Sequence, residues 1–218
     1  MTYRGKVRPG GPPDVYELAE LAITKFSVGE MDNNVYLLRC QRTDRQLLID
    51  AADDAPRILA EIGADGVDTV VTTHGHWDHH RALLDVVGAT GATTVAGAAD
   101  AADLPVPVDR PVGDGDRVVV GECELEVIGL AGHTPGSIAL LYDDPTGTPH
   151  VWTGDSLFPG GVGNTFGDKE AFASLIDDVS TKLFDRLPDE TWLYPGHGDD
   201  STLGDQRPHL AEWRDRGW

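Results

Sequence analysis

The segment Thr73-His74-Gly75-His76-Trp77-Asp78-His79-His80 is the part of the sequence that most restricts its fold and chemistry. Four of the eight histidines of the chain lie here, with an aspartate among them. A His-x-His pair leaving a strand can place both imidazoles on one side of an extended turn, while Asp78 and His79 face a second point nearby. A lone histidine is usually an ordinary core or surface residue. This spacing instead predicts a segment that supplies two ligands to each of two metal ions.

The elements around this segment indicate an α+β protein. Residues 67–73 form a β-branched run of the buried-strand type, and residues 81–87 have helical spacing. Further strands are predicted over 17–28, 34–40, 46–51, 93–96, 107–108, 116–120, 122–130, 137–142, 151–153 and 191–194. Helices are predicted over 54–62, with Asp53 as N-cap, over 168–187 and over 203–216. Because the strands come in two groups, each followed by helices, we expect two mixed β-sheets flanked by helices.

Three more candidate ligands lie beside glycines, each after an apolar run. They are His133 in Gly132-His133-Thr134-Pro135-Gly136, Asp155 in Thr153-Gly154-Asp155-Ser156, and His197 in Pro195-Gly196-His197-Gly198. Glycines let the backbone turn sharply and bring an imidazole or carboxylate to a crowded point. Each of the three alone could be a turn residue or a helix cap. Together with the first segment they predict one metal centre.

Several neighbouring residues are expected to have other roles. Asp50, at a strand end, either orients a ligand histidine or is only a turn residue. His80 is expected on a helix surface, and His150 and His209 at the periphery. Trp77 is expected to pack beneath the loop, with lining of the pocket as the alternative.

Length and composition set the remaining expectations. The 218 residues suit a single domain over 1–218, with the Gly- and Pro-rich residues 1–13 as a flexible tail. Cys40 and Cys123 lack metal-ligand spacing and are expected to be buried thiols.

The net charge of −20 disfavours nucleic acid as a partner. No apolar run reaches the roughly 20 residues of a membrane span, and no secretory signal is present, so the expected location is cytoplasmic. The sequence does not indicate the oligomeric state.

In these motifs the chain resembles the metallo-β-lactamase superfamily, and within it the branch of glyoxalase II and its relatives. The motifs are His74-Gly75-His76-Trp77-Asp78-His79, Gly132-His133-Thr134-Pro135-Gly136-Ser137, Thr153-Gly154-Asp155-Ser156-Leu157-Phe158 and Tyr194-Pro195-Gly196-His197. The resemblance implies an αβ/βα sandwich, the metallo-β-lactamase fold, with metals at one edge. It also implies a first metal on His74, His76 and His133, a second on Asp78, His79 and His197, and Asp155 as the bridge.

Such a ligand set suits hydrolysis. Imidazole and carboxylate ligands favour two divalent ions, with Zn as the first expectation and Fe or Mn as alternatives. Two ions roughly 3.5–4 Å apart can share a water and supply a bridging hydroxide at neutral pH. Asp78 would orient that water, and Asp155 would fix the metal spacing. A thiolate, with a reference thiol pKa of about 8.5, leaves with little acid assistance. The expected substrate is therefore a small acyl thioester, and the expected enzyme a thioesterase similar to glyoxalase II.

Two departures from the family pattern leave the thiol carrier open. Relatives acting on glutathione thioesters carry a further C-terminal helical domain, whereas about twenty residues follow His197 here. Asn164 stands where those relatives usually have an arginine. The carrier could be glutathione, mycothiol or coenzyme A. The alternatives are a lactonase or other ester hydrolase, and a persulfide dioxygenase with a single iron on His74, His133 and Asp155.

Overall fold

The first half of the chain forms a seven-stranded sheet in a computed structural model that describes residues 3–217. Its strands, in both spatial and chain order, are β1 (Asp14–Glu17), β2 (Leu21–Val28), β3 (Asn33–Cys40), β4 (Gln46–Ile49), β5 (Thr69–Thr72), β6 (Thr93–Gly97) and β7 (Arg110–Val112). Neighbouring strands from β1 to β4 are antiparallel, and those from β4 to β7 are parallel. This sheet is therefore mixed, as predicted.

The second half of the chain supplies a six-stranded sheet and a short hairpin. The sheet and hairpin strands are β8 (Arg117–Val120), β9 (Cys123–Gly129), β10 (Ile138–Tyr142), β11 (His150–Gly154), β12 (Leu157–Phe158), β13 (Gly161–Val162), β14 (Trp192–Pro195) and β15 (Ser201–Thr202). The spatial order in the sheet is β15-β14-β11-β10-β9-β8, and β12 pairs with β13. The β11–β14 pair is parallel and the other pairs are antiparallel.

Helices cover the outer face of each sheet. They are α1 (Ala55–Ile62), α2 (Leu83–Thr90), α3 (Lys169–Asp178), α4 (Leu203–Gln206) and α5 (Leu210–Arg216), with 3₁₀ turns at Gly63–Asp65, Trp77–His79, Ala101–Asp103 and Arg207–His209 and a π-helix at Val179–Phe184. One apolar core joins the facing sides of the two sheets, with Leu38 and Trp152 among its members. A second core packs α1 and α2 on the first sheet, and a third packs α3 and α5 on the second sheet. The four layers confirm the predicted αβ/βα sandwich.

Two boundaries in the first half differ from the sequence prediction. The N-cap of α1 is Asp54, not Asp53, because the Asp54 carboxylate accepts a hydrogen bond from the Arg57 backbone N–H at 3.3 Å. No strand forms at 107–108 in the described chain, because the Pro107 carbonyl accepts a hydrogen bond from the Thr94 hydroxyl instead. Pairing with β6 begins only at Arg110.

The helices predicted over 168–187 and 203–216 are both interrupted. The first changes to a π-helix after Asp178, where the Ser180 hydroxyl donates to the Ile176 carbonyl four residues earlier. The second contains a 3₁₀ turn at Arg207–His209, because Pro208 has no N–H to donate to the preceding turn.

The N-terminal segment, predicted as a flexible tail over 1–13, makes contacts with β1, β2 and the turn after β14 at Tyr3 and Gly5. The Tyr3 ring stacks on Tyr16 with centroids 4.9 Å apart, and its hydroxyl donates to Asp200 at 2.5 Å. The Gly5 carbonyl accepts a hydrogen bond from Lys25 at 2.9 Å. Residues 1 and 2 lie outside the described residues.

Cys40 and Cys123 are free and buried in the core between the sheets, as predicted. Among the described residues, no helix has both the length and the apolar character needed to cross a bilayer.

Candidate metal centre

The seven residues predicted as metal ligands come from four loops that meet at the ends of strands from both sheets. His74, His76, Asp78 and His79 follow β5, His133 lies between β9 and β10, Asp155 follows β11, and His197 follows β14. Loops held by buried strands can place charged side chains with little freedom of movement. The structure therefore brings all seven predicted residues together.

The ligand atoms fall into three groups, and within each group the atoms lie within 4.8 Å of one another. The groups are His74–His76–His133, Asp78–His79–His197 and His74–His79–Asp155. Asp155 joins the first two groups. Its Oδ1 is 3.3 Å from His79 Nε2, and its Oδ2 is 3.7 Å from His133 Nε2 and 3.6 Å from His197 Nε2. This is the arrangement expected of a carboxylate shared between two ions.

Unpaired polar atoms test whether the centre fits metal ions. Within residues 3–217, His74 Nε2, His133 Nε2 and Asp155 Oδ1 are buried and have no hydrogen-bond partner. Buried nitrogen and oxygen atoms are nearly always satisfied, so such atoms converging on one point need an explanation. A divalent cation would satisfy all three at once, because nitrogen and oxygen lone pairs are its usual ligands. The residues present therefore fit a metal centre.

Asp50 orients two of the histidines. His79 Nδ1–H donates to Asp50 Oδ2 at 2.8 Å. The Thr73 hydroxyl also donates to Asp50 Oδ2, at 2.8 Å, so its oxygen accepts from His74 Nδ1–H at 3.1 Å. With the proton of Nδ1 engaged in this way, Nε2 of both rings is directed into the centre. Of the two roles left open for Asp50 by the sequence, the structure shows the partner of a candidate ligand.

Backbone carbonyls orient two more histidines. His133 Nδ1–H donates to the Asn164 carbonyl at 2.8 Å, and His197 Nδ1–H donates to the Met31 carbonyl at 3.0 Å. A carbonyl can only accept, so these bonds place a proton on Nδ1 and turn Nε2 inward. Such outer partners hold metal-binding imidazoles in the right tautomer and orientation. The sequence does not reveal these contacts, because any residue type provides a carbonyl.

Asn33 is a site residue that the sequence analysis missed. Its side-chain N–H donates to Asp78 Oδ2 at 3.0 Å and lies 3.4 Å from His197 Nε2. Burial acts to raise the pKa of Asp78, but hydrogen bonds with His197 and Asn33 hold it well below its ordinary value. The available sequence signal was two asparagines, Asn33 and Asn34, opening an otherwise apolar strand.

The electrostatics of the centre favour ionised carboxylates and divide the histidines, with the pKa of His74 and His133 lowered and that of His79 and His197 raised. Burial, together with the neighbouring histidines, places the pKa of His74 well below its ordinary value, and burial also lowers the pKa of His133. The pKa of Asp155 is lowered despite burial, because His79 lies beside it. For His79, burial acts to lower the pKa, but Asp50 and Asp155 outweigh it and raise the pKa to about 10. Metal binding at His79 therefore has to displace a proton.

Gly196 lies where the backbone passes close to the side chains of Asp155 and His79. A Cβ on Gly196 would overlap the Asp155 carboxylate and lie 2.7 Å from His79 Cε1. Since Gly196 directly precedes His197, its lack of a side chain lets β14 deliver that histidine next to the other ligands.

Three nearby side chains differ from the sequence expectations. His80 is buried, with Nε2 3.2 Å from the Gly75 carbonyl, so its predicted position on a helix surface is wrong. His150 is buried within β11 beside the Tyr194 hydroxyl, at 2.7 Å, and lies outside all three ligand groups. Trp77 is 53% exposed and lines a small cleft beside Asp78, which is the alternative role considered for it.

Residues 28–197 match the metallo-beta-lactamase superfamily. The chain belongs to that superfamily. It is 38% identical over 170 residues to a hydroxyacylglutathione hydrolase of Fuscovulum blasticum, covering 76% of this chain and 62% of that protein. It is 34% identical over 186 residues to a hydroxyacylglutathione hydrolase of Rhodospirillum rubrum, covering 84% of this chain and 66% of that protein. The predicted resemblance to the glyoxalase II branch is confirmed, and this chain spans just under two thirds of the length of those relatives.

The chain also resembles a solved structure. It is the crystal structure of TTHA1623 in a di-iron-bound form, which matches with a TM-score of 0.67 and 31% sequence identity. The match covers 83% of this chain and 95% of that one.

Proposed function

We propose that this protein is a metal-dependent hydrolase that binds two divalent ions and cleaves acyl thioesters of small thiols. The observation that carries the proposal is the pair of three-residue ligand groups joined by Asp155. Both groups are complete, which favours two ions over the single iron of a dioxygenase. The similarity to hydroxyacylglutathione hydrolases supports a thioester as the substrate.

Each ion would have its own ligands. The first would be held by His74, His76 and His133, and the second by Asp78, His79 and His197, with Asp155 shared. When bound, two such ions lower the pKa of a shared water and polarise a carbonyl oxygen, with Zn as the first expectation and Fe or Mn as alternatives.

The side chains of the centre would orient the reactants. Asp78 is held as a carboxylate by Asn33, so it can accept a hydrogen bond from an attacking water. Asp155 would keep the two ligand groups at a fixed separation. The side chains of the centre would offer their nitrogen and oxygen lone pairs to the metal ions. Few of them are then left as acids that could protonate a leaving group. A thiolate, unlike an alkoxide or amide nitrogen, leaves without such help.

The wall next to the first ligand group is apolar. The Phe166 ring is 72% exposed and lies 5.8 Å from the His76 ring and 6.2 Å from the His133 ring. Its backbone has a φ of 55°, and its N–H donates to the Asn164 side-chain oxygen at 2.7 Å. Asn164, at the position where the resemblance implies an arginine in relatives acting on glutathione thioesters, therefore stabilises a turn that presents an aromatic ring. This favours substrate contacts that are apolar rather than cationic at this point.

The proposal is tested by measuring whether the metal-loaded protein hydrolyses S-lactoyl thioesters of glutathione, mycothiol and coenzyme A. We expect rapid turnover of one member, lost in Asp155→Ala and kept in Asp44→Ala, which changes an exposed carboxylate remote from the centre. Absence of turnover across the panel with two ions bound would contradict thioester hydrolysis. Oxygen uptake with a persulfide, or opening of a lactone, would then identify the alternative.

A further inference from the structure

A buried ion pair lies next to the metal centre but outside it. The side chains of Lys25 in β2 and Asp200 after β14 are both 0% exposed, and Lys25 Nζ lies 2.6 Å from Asp200 Oδ1. Lys25 also donates to the Gly5 carbonyl at 2.9 Å and to the Gly198 carbonyl at 2.8 Å. Its three N–H donors are therefore all used. Desolvation of two charges offsets most of their attraction, so such a pair is a poor source of stability alone.

The pair is connected to the turn that carries His197. Lys25 bonds the carbonyl that directly follows this histidine. The Asn34 side chain donates to the same Gly198 carbonyl and to the Pro195 carbonyl, both at 2.9 Å. The Tyr36 hydroxyl donates to the Pro195 carbonyl at 2.8 Å. Side chains of β2 and β3 thus hold the backbone on both sides of His197.

His197 depends on this turn more than His79, the other histidine of its ligand group, does. Its side chain is 25% exposed, whereas that of His79 is 0% exposed and packed within the centre. Its ring contacts the Met31 carbonyl through Nδ1 and other residues of the centre through Nε2, while the position of its backbone is set by the turn. The first ligand group contains no residue of this turn.

We propose that the Lys25–Asp200 pair is a positioning element that holds His197 in place and so sets the affinity of the second metal ion. The pair leaves the ion on His74, His76 and His133 unaffected. This inference rests on the proposed two-metal function. It assigns a role to two charged residues that contact neither ion.

The inference is tested by measuring zinc binding in three proteins, which are the wild type, the double variant Lys25→Met/Asp200→Asn, and Arg57→Met. The double variant replaces the pair with neutral side chains of similar size. Arg57 is the matched control, because it also pairs with a carboxylate, Glu61, and donates to a backbone carbonyl, that of Gly11, but lies on α1. Bound zinc per chain is measured after saturation and dialysis, and both affinities are measured by calorimetric titration with Zn²⁺ alone.

We expect two ions in the wild type and in Arg57→Met. In the double variant we expect one ion at wild-type affinity and a second weakened by at least about tenfold, the lower end of what loss of an outer partner costs a metal site. Two ions with unchanged affinities in the double variant would overturn the inference. Equal weakening of both ions would also overturn it, because that result indicates a general structural role.

Two further results remain informative. If the double variant fails to fold by circular dichroism, Tyr36→Phe replaces it. That change removes a hydroxyl that lies 2.8 Å from the Pro195 carbonyl oxygen and 3.3 Å from Asp200 Oδ1, without leaving a buried charge. It should weaken binding of the second ion only, and unchanged affinity would overturn the inference. If the wild type itself binds no more than one ion, the proposed two-metal function fails instead, which separates the two failures.

Discussion

The Asp50 carboxylate accepts the Nδ1–H of His79 at 2.8 Å, in a part of the centre where both side chains are buried. The same carboxylate accepts the Thr73 backbone N–H at 2.7 Å and the Thr73 hydroxyl at 2.8 Å. A single residue outside the ligand set therefore determines which nitrogen of His79 faces the other ligands.

Asp50→Asn tests this relationship. An amide has only one oxygen for three donors, so it cannot satisfy His79 and both Thr73 groups, and the imidazole loses its fixed tautomer. We expect metal affinity to fall by about 10–100-fold, as is typical when the outer partner of a ligand histidine is lost. Calorimetric titration with Zn²⁺ measures the change. Asp44→Asn is the control, since Asp44 pairs with Arg39 at the surface. Wild-type affinity in Asp50→Asn would show that the bond does not matter for metal binding.

Gly196→Ala tests the close packing behind His197. The added methyl would overlap the Asp155 carboxylate and approach the His79 ring, so at least one ligand has to move. We expect the variant to fold with the wild-type circular dichroism spectrum but to lose at least one metal ion and most activity. Gly88→Ala in α2 is the control, because its Cβ would meet nothing within 4 Å. Full metal content and activity in Gly196→Ala would contradict the described geometry.

Lys25→Met should destabilise the protein in a pH-dependent way. Burial raises the pKa of Asp200 to about 6, even though Lys25 and the hydroxyls of Tyr3 and Tyr36 act to lower it. Without Lys25 this pKa should rise further. An acid with a raised folded-state pKa takes up protons on folding, so the free energy of unfolding falls as pH rises from about 4 through the folded pKa and is level above it.

The measurement for this prediction is urea denaturation of Lys25→Met and wild type at pH 5 and pH 8. At pH 5 Asp200 is protonated in the folded variant, so the loss of stability is limited to the Gly5 and Gly198 carbonyls that lose their donor. At pH 8 the variant has to bury an unpaired carboxylate or take up a proton on folding, and we expect a larger loss of about 3–5 kcal/mol. A loss that is equal at both pH values, or larger at pH 5, would be inconsistent with an unpaired Asp200.

The sequence predicted the fold and the set of side chains that meet at the centre, because local patterns carry both. Alternating and β-branched runs indicate strands, and the glycine-flanked His133, Asp155 and His197 are visible within short motifs. The partners of those side chains are less predictable. Asn33 reaches Asp78 from 45 residues away, and the carbonyls that accept from His133 and His197 depend on backbone position alone.

The buried position of Lys25 could not be inferred either. Lysine within an alternating strand normally points to solvent. Here β2 is covered on that side by the chain around Gly5 and by the turn after β14, a long-range arrangement that no local pattern encodes. His80 was misplaced for a local reason: α2 begins only at Leu83, and His80 turns back toward the Gly75 carbonyl five residues earlier.

The two-metal centre is tested most directly by the number of zinc ions bound per chain in the wild type and in Asp155→Ala. This number is measured by mass spectrometry of the metal after saturation and dialysis. Asp155 lies within 3.7 Å of ligand nitrogens from both groups, so its removal should affect both ions. A two-metal centre bridged by Asp155 should bind two ions in the wild type and fewer in the variant. One ion or none in the wild type, or two tightly bound ions in Asp155→Ala, would contradict it.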